Sequence, residues 1–405
     1  MFAPIFILIF APGFYFDTLK QDLAVSLLRI MFPYLALISL VAFAAGIQNS
    51  HNKFSIPAAT PLIFNLSLIC SAWLVAPRIE IPVMALAWGV LLAGFLQLLF
   101  QIAPLATIKK IPVPKIDFQN PGVKKFFILV LPAIIAGGIA QINLLVDTIF
   151  ASLLITGSPT WLYVSDRLIQ FPMGIFAIAI GTVLLPSLSK AYAQKEIEAF
   201  TDQLAHAFKL IFFLAIPSLI GLILFASPLL ATIFQRGAFL WIDVQQASLS
   251  LIGFAFGLPF FMAMKVLVPA FFSRQNTKTP MLIALLSLLI NISLNYLLAF
   301  YFELGHLGLA IASSISAIVS VIILSIILKR EGLISFSGIL SAFSFKVLTA
   351  SVALIVFLLI FNQHFDFELF TQAQRLIYLC VAVIGSIITY FGVSFLLGVR
   401  ATDFR

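Results

Sequence analysis

Followed for its hydrophobic and polar positions, the chain is a series of apolar runs, each about 20 residues long, broken by short turns rich in Pro, Gly, Asn and Lys. Runs of that length suit helices that cross a bilayer at about 1.5 Å per residue. They are continuous and do not alternate, which excludes a membrane β-barrel. The pattern predicts spans at 24–47, 57–76, 83–106, 123–152, 159–188, 204–226, 244–272, 279–302, 305–328, 343–361 and 375–397, with the tail of a further helix at 2–12. The expected fold class is an all-α polytopic membrane protein.

Two of these spans carry polar groups where lipid penalises them. The span 123–152 places Asn143 and Asp147 one turn apart. The span 159–188 holds Arg167, and a charge at that depth costs at least about 2.5–3.5 kcal/mol unless it meets water or a partner. Thr160, Tyr163, Arg167, Gln170 and Gly174 follow one another at spacings of 3, 4, 3 and 4, which puts all five on one helical face. Pro172 removes a helical hydrogen bond and is expected to kink the span beside Arg167. Gly174 and Gly181 allow a bend or the close approach of a neighbour.

Two readings of this stripe stand. In one it is the wet side of a gating helix, with the planar guanidinium of Arg167 suited to a phosphate. In the other Arg167 pairs with Asp147 or Asp166 and only holds the bundle together. Asn143 and Asp147, and likewise Asn291 and Asn295, share faces at i,i+4. Their oxygens are hard ligands for Na⁺ or stations for a proton; the plainer alternative is hydrogen bonding between helices. Arg29 and Lys265 are the other intramembrane cations, each placed either to reach an interface along its aliphatic stem or to face a cavity.

Composition agrees with the pattern: 62% of the residues are hydrophobic and 9% charged, which no soluble domain matches. The net charge of +8 would suggest nucleic acid, but its distribution does not. Assigning the turns alternately to two sides collects sixteen Lys and Arg on one side, Lys209 among them, against four on the other. That asymmetry is a positive-inside signal and predicts a cytoplasmic C-terminus. Cys70 and Cys380 lie in separate apolar runs, and no Cys/His cluster suggests a metal. P-loop, G-x-S-x-G and H-E-x-x-H motifs are absent, so a transporter is expected and an enzyme is not.

The chain also repeats. Phe10–Phe14 resembles Phe234–Phe239, and Ser50–Pro57 matches Ser273–Pro280, at an offset of 223–224 residues. The second copy runs back to about Val123, whereas the first has nine residues before Phe10. A complete parallel repeat would therefore need about 100 further residues ahead of Met1. The expectation is a first lobe short of about two and a half helices.

Five segments carry a resemblance to a known family: Arg29–Leu35 (RIMFPYL), 140–152 (AQINLLVDTIFAS), Trp161–Leu168 (WLYVSDRL), Gly181–Ser189 (GTVLLPSLS) and Lys265–Pro280 (KVLVPAFFSRQNTKTP). They resemble the MurJ/MviN lipid II flippases of the multidrug/oligosaccharidyl-lipid/polysaccharide exporter superfamily, and the likeness covers essentially the whole chain. The resemblance implies two six-helix lobes in a V plus two C-terminal helices that form a groove for a lipid tail. On this chain these become a partial first lobe at 1–115, a second lobe at 116–330 and the groove helices at 331–405.

The resemblance further implies translocation of lipid II from the cytoplasmic to the periplasmic leaflet of the bacterial inner membrane, for peptidoglycan and cell-wall synthesis. Arg167, Thr160, Tyr163, Gln170, Asn143 and Arg29 would contact substrate, and Pro172 and Gly174 would form the hinge. Asp147, Asn291 and Asn295 fall where some members bind Na⁺, with Asn295 standing where an acid is the pattern. No organic cofactor is implied; the drive would be Na⁺ or proton coupling, or membrane potential alone. The expected partners are undecaprenyl-linked lipid II and the bilayer, without nucleic acid, the protein acting as a monomer near cell-wall synthases. A flippase for another polyprenyl-linked glycan, a cationic-drug antiporter and a non-transporting scaffold of the cell-wall machinery are the alternatives; a net-positive cavity disfavours the antiporter.

Overall fold

The computed structural model describes residues 2–51, 53–107, 138, 141–334, 342–363, 370–400 and 403. Within them the chain is helical throughout, and it divides into two compact units, Met1–Pro132 and Ala133–Arg405. The predicted boundary at 115/116 lies outside the described residues. So does most of the predicted span 123–152, of which 141–152 is seen as helix.

The first unit contains α1 (Ala3–Phe10), α2 (Thr18–Met31), α3 (Tyr34–Ser50), α4 (Ser55–Cys70) and α5 (Pro82–Thr107). Helix α2 begins six residues before the predicted span, because Asp17 caps it by accepting a hydrogen bond from the Lys20 amide at 3.2 Å. Hydrogen bonds from the Lys20 side chain and amide hold the Asp17 carboxyl below its ordinary range. The cap therefore persists until pH falls through that lowered value. A break at Phe32–Pro33 separates α2 from α3, yet the two make one apolar span, Thr18–Ser50.

Polar side chains hold this unit together in its interior. Gln48 of α3 donates to Gln101 of α5, and Gln101 Nε2 donates to Thr60 Oγ1 of α4 at 2.7 Å. Gln97 Nε2 donates to the Thr60 carbonyl at 3.2 Å. In lipid there is no hydrophobic drive between helices, so such bonds and close packing take its place.

The second unit holds a sixth helical segment at 141–152 (α6), then α7 (Ser158–Pro172), α8 (Ala179–Ala193), α9 (Ile197–Leu224), α10 (Ala226–Phe234), α11 (Trp241–Ala255), α12 (Leu258–Phe272), α13 (Lys278–Tyr296), α14 (Gly305–Arg330), α15 (Ala342–Asn362) and α16 (Gln372–Leu396). Its core runs through α7 to α14 around residues with no exposed surface, such as Phe200, Leu258, Met262 and Phe271. Across the chain, nine helices among the described residues are long and apolar enough to cross a membrane, and a bent pair makes a tenth span.

That bent pair corrects one predicted element. The run 244–272 is two helices, α11 and α12, meeting at 42°. At the joint a Cβ on Gly257 would fall 2.5 Å from Ser314 Oγ, so only glycine fits there. The Gly257 amide bonds the Phe254 carbonyl, and Ser314 Oγ donates to the vacated Gly253 carbonyl at 2.7 Å. Lys209, counted with the basic side, lies inside α9 as it does inside the predicted span 204–226.

Helices α15 and α16 dock on α9 through an aromatic cluster that includes Phe213, Phe225, Tyr378 and Tyr390. The seam has a polar pin. Pro217 within α9 lacks the N–H that would serve the Phe213 carbonyl. Tyr390 of α16 supplies a hydroxyl to that carbonyl at 2.7 Å. Tyr390→Phe should cost about 1–3 kcal/mol, the penalty of a buried acceptor left bare, read as a lower unfolding temperature in detergent. Adding Pro217→Ala restores the donor within the helix and should recover most of the loss; absence of recovery would refute the pin.

Candidate functional site

Helix α7 turns two different faces outward from its axis. Trp161, Val164, Ser165 and Ile169 are buried in the unit, whereas Thr160, Tyr163, Arg167, Gln170 and Gly174 are all exposed on it. The buried face is bolted to α11. Trp161 Nε1 donates to Asp243 Oδ1 at 2.9 Å, and Ser165 Oγ donates to the Ala247 carbonyl at 2.7 Å. His306 of α14 stands edge-on to Trp161 at 4.9 Å between ring centroids. Its ring nitrogens lie 2.7 Å from Ser250 Oγ and 2.9 Å from Gln246 Oε1. Sequence reasoning missed this clamp, because its members come from three helices far apart in the chain.

On the exposed face Arg167 makes no ion pair with any described residue. The pairing with Asp147 or Asp166 that the sequence left open is therefore not formed. The Arg167 guanidinium lies over the Tyr163 ring at 4.8 Å from its centroid, a contact worth about 0.5–1 kcal/mol at an exposed site. Asp166 instead accepts a long bond from Gln170 Nε2 at 3.5 Å. Beyond Pro172 the helix widens into a π-helical turn, Met173–Ile178. Such turns relax a ladder that a proline has interrupted, and they recur at functional sites. Gly174 sits in this turn with open space where a Cβ would be.

The helix then approaches α12 closely. A Cβ on Gly181 would come within 2.8 Å of the Lys265 carbonyl oxygen, an oxygen that Pro269 has deprived of its helical donor. The Lys265 side chain is exposed. In the first unit Arg29 is also exposed and lies in the last turn of α2. It is eleven residues from the start of that helix at Thr18, which is about 16 Å at 1.5 Å per residue.

A second polar group lies within the second unit. Asn295 Nδ2 donates to Asp147 Oδ1 at 2.8 Å and to Asn291 Oδ1 at 3.0 Å. Asn291 Nδ2 donates to Ser313 Oγ at 3.2 Å, and Ser313 Oγ donates to Asp147 Oδ2 at 3.3 Å. The four side chains thus close a ring across α6, α13 and α14, with Asn291 and Asn295 fully buried. The carboxylate fixes the Asn295 amide: turned over, its oxygen would face Asp147. Held this way, Asn295 Oδ1 is buried without a partner, and so is Asn143 Oδ1 one turn before Asp147. Ser313 was missed from sequence, although Ser313, Ser316 and Ser320 recur at helical spacing in an apolar run. Among the described residues no three His, Cys, Asp or Glu side chains group together as metal ligands.

Apolar spans packed through small residues and hydrogen bonds, with an exposed guanidinium on a polar helical face and an acid in a buried ring, define a polytopic transporter of the membrane. A sequence profile described as lipid II flippase MurJ matches residues 1–379. The chain belongs to that family. It is 37% identical to the probable lipid II flippase MurJ of Vibrio cholerae serotype O1, over 98% of this chain and 77% of that protein. It is 38% identical to the counterpart of Haemophilus influenzae, over 95% and 76%. It is 33% identical to the lipid II flippase MurJ of Burkholderia cenocepacia, over 98% and 77%. A solved structure of lipid II flippase MurJ in an inward closed conformation superposes with a TM-score of 0.78 at 27% identity, covering 96% of this chain and 77% of that one. An inward-facing MATE-family multidrug transporter of the MOP superfamily shares the fold, with a TM-score of 0.66 at 14% identity over 81% of this chain and 77% of that one.

The ring makes a direct prediction. Ser313→Ala leaves Asn291 Nδ2 and an Asp147 oxygen without partners and should cost about 1–3 kcal/mol. Ser313→Thr keeps the hydroxyl and should keep the unfolding temperature in detergent. An unchanged temperature in Ser313→Ala would show that the ring does not close through this residue.

Proposed function

We propose that this chain is a lipid II flippase of the inner membrane, moving the lipid-linked peptidoglycan precursor from the cytoplasmic to the periplasmic leaflet. The observation that carries the reading is the unpaired guanidinium of Arg167, exposed on a polar helical face within a membrane span. A cation so placed needs an anionic counterpart, and a pyrophosphate-linked lipid offers one that the planar fork fits. Thr160, Tyr163 and Gln170 on the same face supply hydroxyl and amide groups for the polar head. Asn143 is assigned to the same contact, Arg29 of the first unit to a substrate contact of its own, and the π-helical turn at Pro172 and Gly174 to the yielding point of the gating helix. The segment 331–405 serves the lipid tail, with the C-terminus in the cytoplasm and the protein working as a monomer.

Coupling belongs to the Asp147 ring. The Asp147 carboxylate, the orphaned oxygen of Asn295 and the amide oxygen of Asn291 form an oxygen set that suits Na⁺. When bound, the ion would neutralise Asp147 and satisfy those oxygens. Asn295 and Ser313 hold the carboxylate by donating to it, and Asn291 bridges the two.

The test is translocation of fluorescent lipid II by the chain in proteoliposomes. The native chain should move lipid II, and Arg167→Ala should slow it about tenfold or more, the effect of losing a charged hydrogen bond. Movement at the native rate by Arg167→Ala would remove Arg167 from the mechanism. No movement by a well-folded native chain would favour a scaffold of the cell-wall machinery.

A second comparison addresses the ion. At constant pH, transport by the native chain should be faster in Na⁺ than in K⁺ medium, and Asp147→Asn should erase that difference. A native chain indifferent to Na⁺ would leave membrane potential as the drive.

A further inference from the structure

The second unit contains a cavity of about 530 Å³ that the translocation reading does not use. Its walls come from α9, the α11–α12 joint, α12 and α14, with Ile334 and the first residues of α15 also on the lining. No residue of α16 lines it; of the segment 331–405, only Ile334, Phe343 and Ser344 border it. The 42° joint between α11 and α12 helps to open it. Phe256, Pro259, Phe260 and Ala263 follow that joint and form one wall, and Phe212 and Ile216 of α9 form another.

Two polar groups in this lining are unusual. Among the described residues Lys209 and Ser325 have no hydrogen-bond or ion-pair partner, and Ser325 is 8% exposed. Thr201, by contrast, is satisfied by the Ile197 and Glu198 carbonyls. Lys209 sits inside a membrane-crossing helix, where an ammonium without an anion is costly. From Lys209 the lining continues along α9 to Leu219. Those ten residues cover about 15 Å, half of a hydrocarbon core about 30 Å thick.

An apolar slot one leaflet deep, with a lone cation toward one end, recognises an amphiphile that carries a single phosphate charge above a hydrocarbon chain. Lys329 and Arg330 end α14 a few residues before Ile334, which borders the cavity with Thr201, and Asp202 and Glu331 are their acidic neighbours in sequence. This is the side that is basic by sequence, where a cytoplasmic leaflet presents anionic headgroups. We propose that this cavity binds an anionic glycerophospholipid of that leaflet, its phosphate on Lys209 and an acyl chain along Phe212, Ile216 and Leu219.

The full chain, purified in detergent, is titrated separately with phosphatidylglycerol and with phosphatidylcholine of the same acyl chains. Bound lipid is read by native mass spectrometry. The native chain should hold phosphatidylglycerol about fivefold more tightly, the factor expected for one basic residue at a headgroup. Lys209→Gln should bring it down to the phosphatidylcholine level, and Lys209→Arg should preserve the preference. Ala263→Phe, which fills the slot, should weaken both lipids. Equal phosphatidylglycerol binding by monodisperse native chain and Lys209→Gln overturns the proposal, as does undiminished binding in Ala263→Phe. Tighter retention of undecaprenyl phosphate than of phosphatidylglycerol overturns the phospholipid assignment. Were Lys209→Gln not to fold, Lys209→Arg and Ala263→Phe carry the same decision.

Discussion

Lipid cannot hydrogen-bond to a backbone carbonyl, and much of this structure follows from that constraint. The helices contain internal prolines, each of which strips a donor from a carbonyl four residues earlier. At Pro217 the freed oxygen belongs to Phe213, and Tyr390 covers it from another helix. At Pro269 the freed oxygen belongs to Lys265, and Gly181 lets a neighbouring backbone close over it. At the α11–α12 joint the Gly253 carbonyl is taken by Ser314. Each repair is also a point of contact between helices. Satisfying the backbone therefore fixes which helices pack together, where α16 docks and how closely α8 approaches α12.

The charges obey the same economy. Asp147 is held by two donors within a closed ring and needs no opposite charge to stay in place. Arg167 has a tyrosine face and no anion. An acid that is already bonded can be neutralised by a small cation without moving its neighbours. An exposed guanidinium, in contrast, gains most from a ligand that brings its own negative charge. The two groups thus differ in what each can bind, although both were visible in sequence only as charges inside apolar runs.

Periodicity alone exposed the spans and the stripe on α7, because a lipid-facing helix permits few polar residues and their spacing is then easy to read. It also brought Asp147, Asn291 and Asn295 forward, since amides and acids are rare at such depth. It did not show Ser313, because serine is tolerated in membrane helices and gives little contrast. The bend between Ala255 and Leu258 was hidden for a related reason: both halves are equally apolar, and the decisive fact is the space denied to a side chain at Gly257 by Ser314, 57 residues away. Lys209 was counted with the basic side although it falls within the predicted span 204–226, near its start. The helix continues through it, and a long aliphatic stem makes that position tolerable.

The gating helix joins a stiff part to a soft one. From Trp161 to Ser165 it is tied to α11 by an indole bond and a hydroxyl bond, with His306 packed against the indole. From Met173 to Ile178 the turn is wide, and Gly174 has empty space beside it. Arg167 lies between the two. For the contact proposed at Arg167, a rigid mount would keep the guanidinium aimed, because fewer rotamers and helix positions are surrendered on binding. A loose turn beyond it lets the rest of the span, bound to α12 at Gly181, change direction without breaking the mount. Pro172 and Gly174, which loosen the helix, fall on one side of Arg167 and the bolted Trp161 and Ser165 on the other, and the reorientation proposed for this span needs that asymmetry.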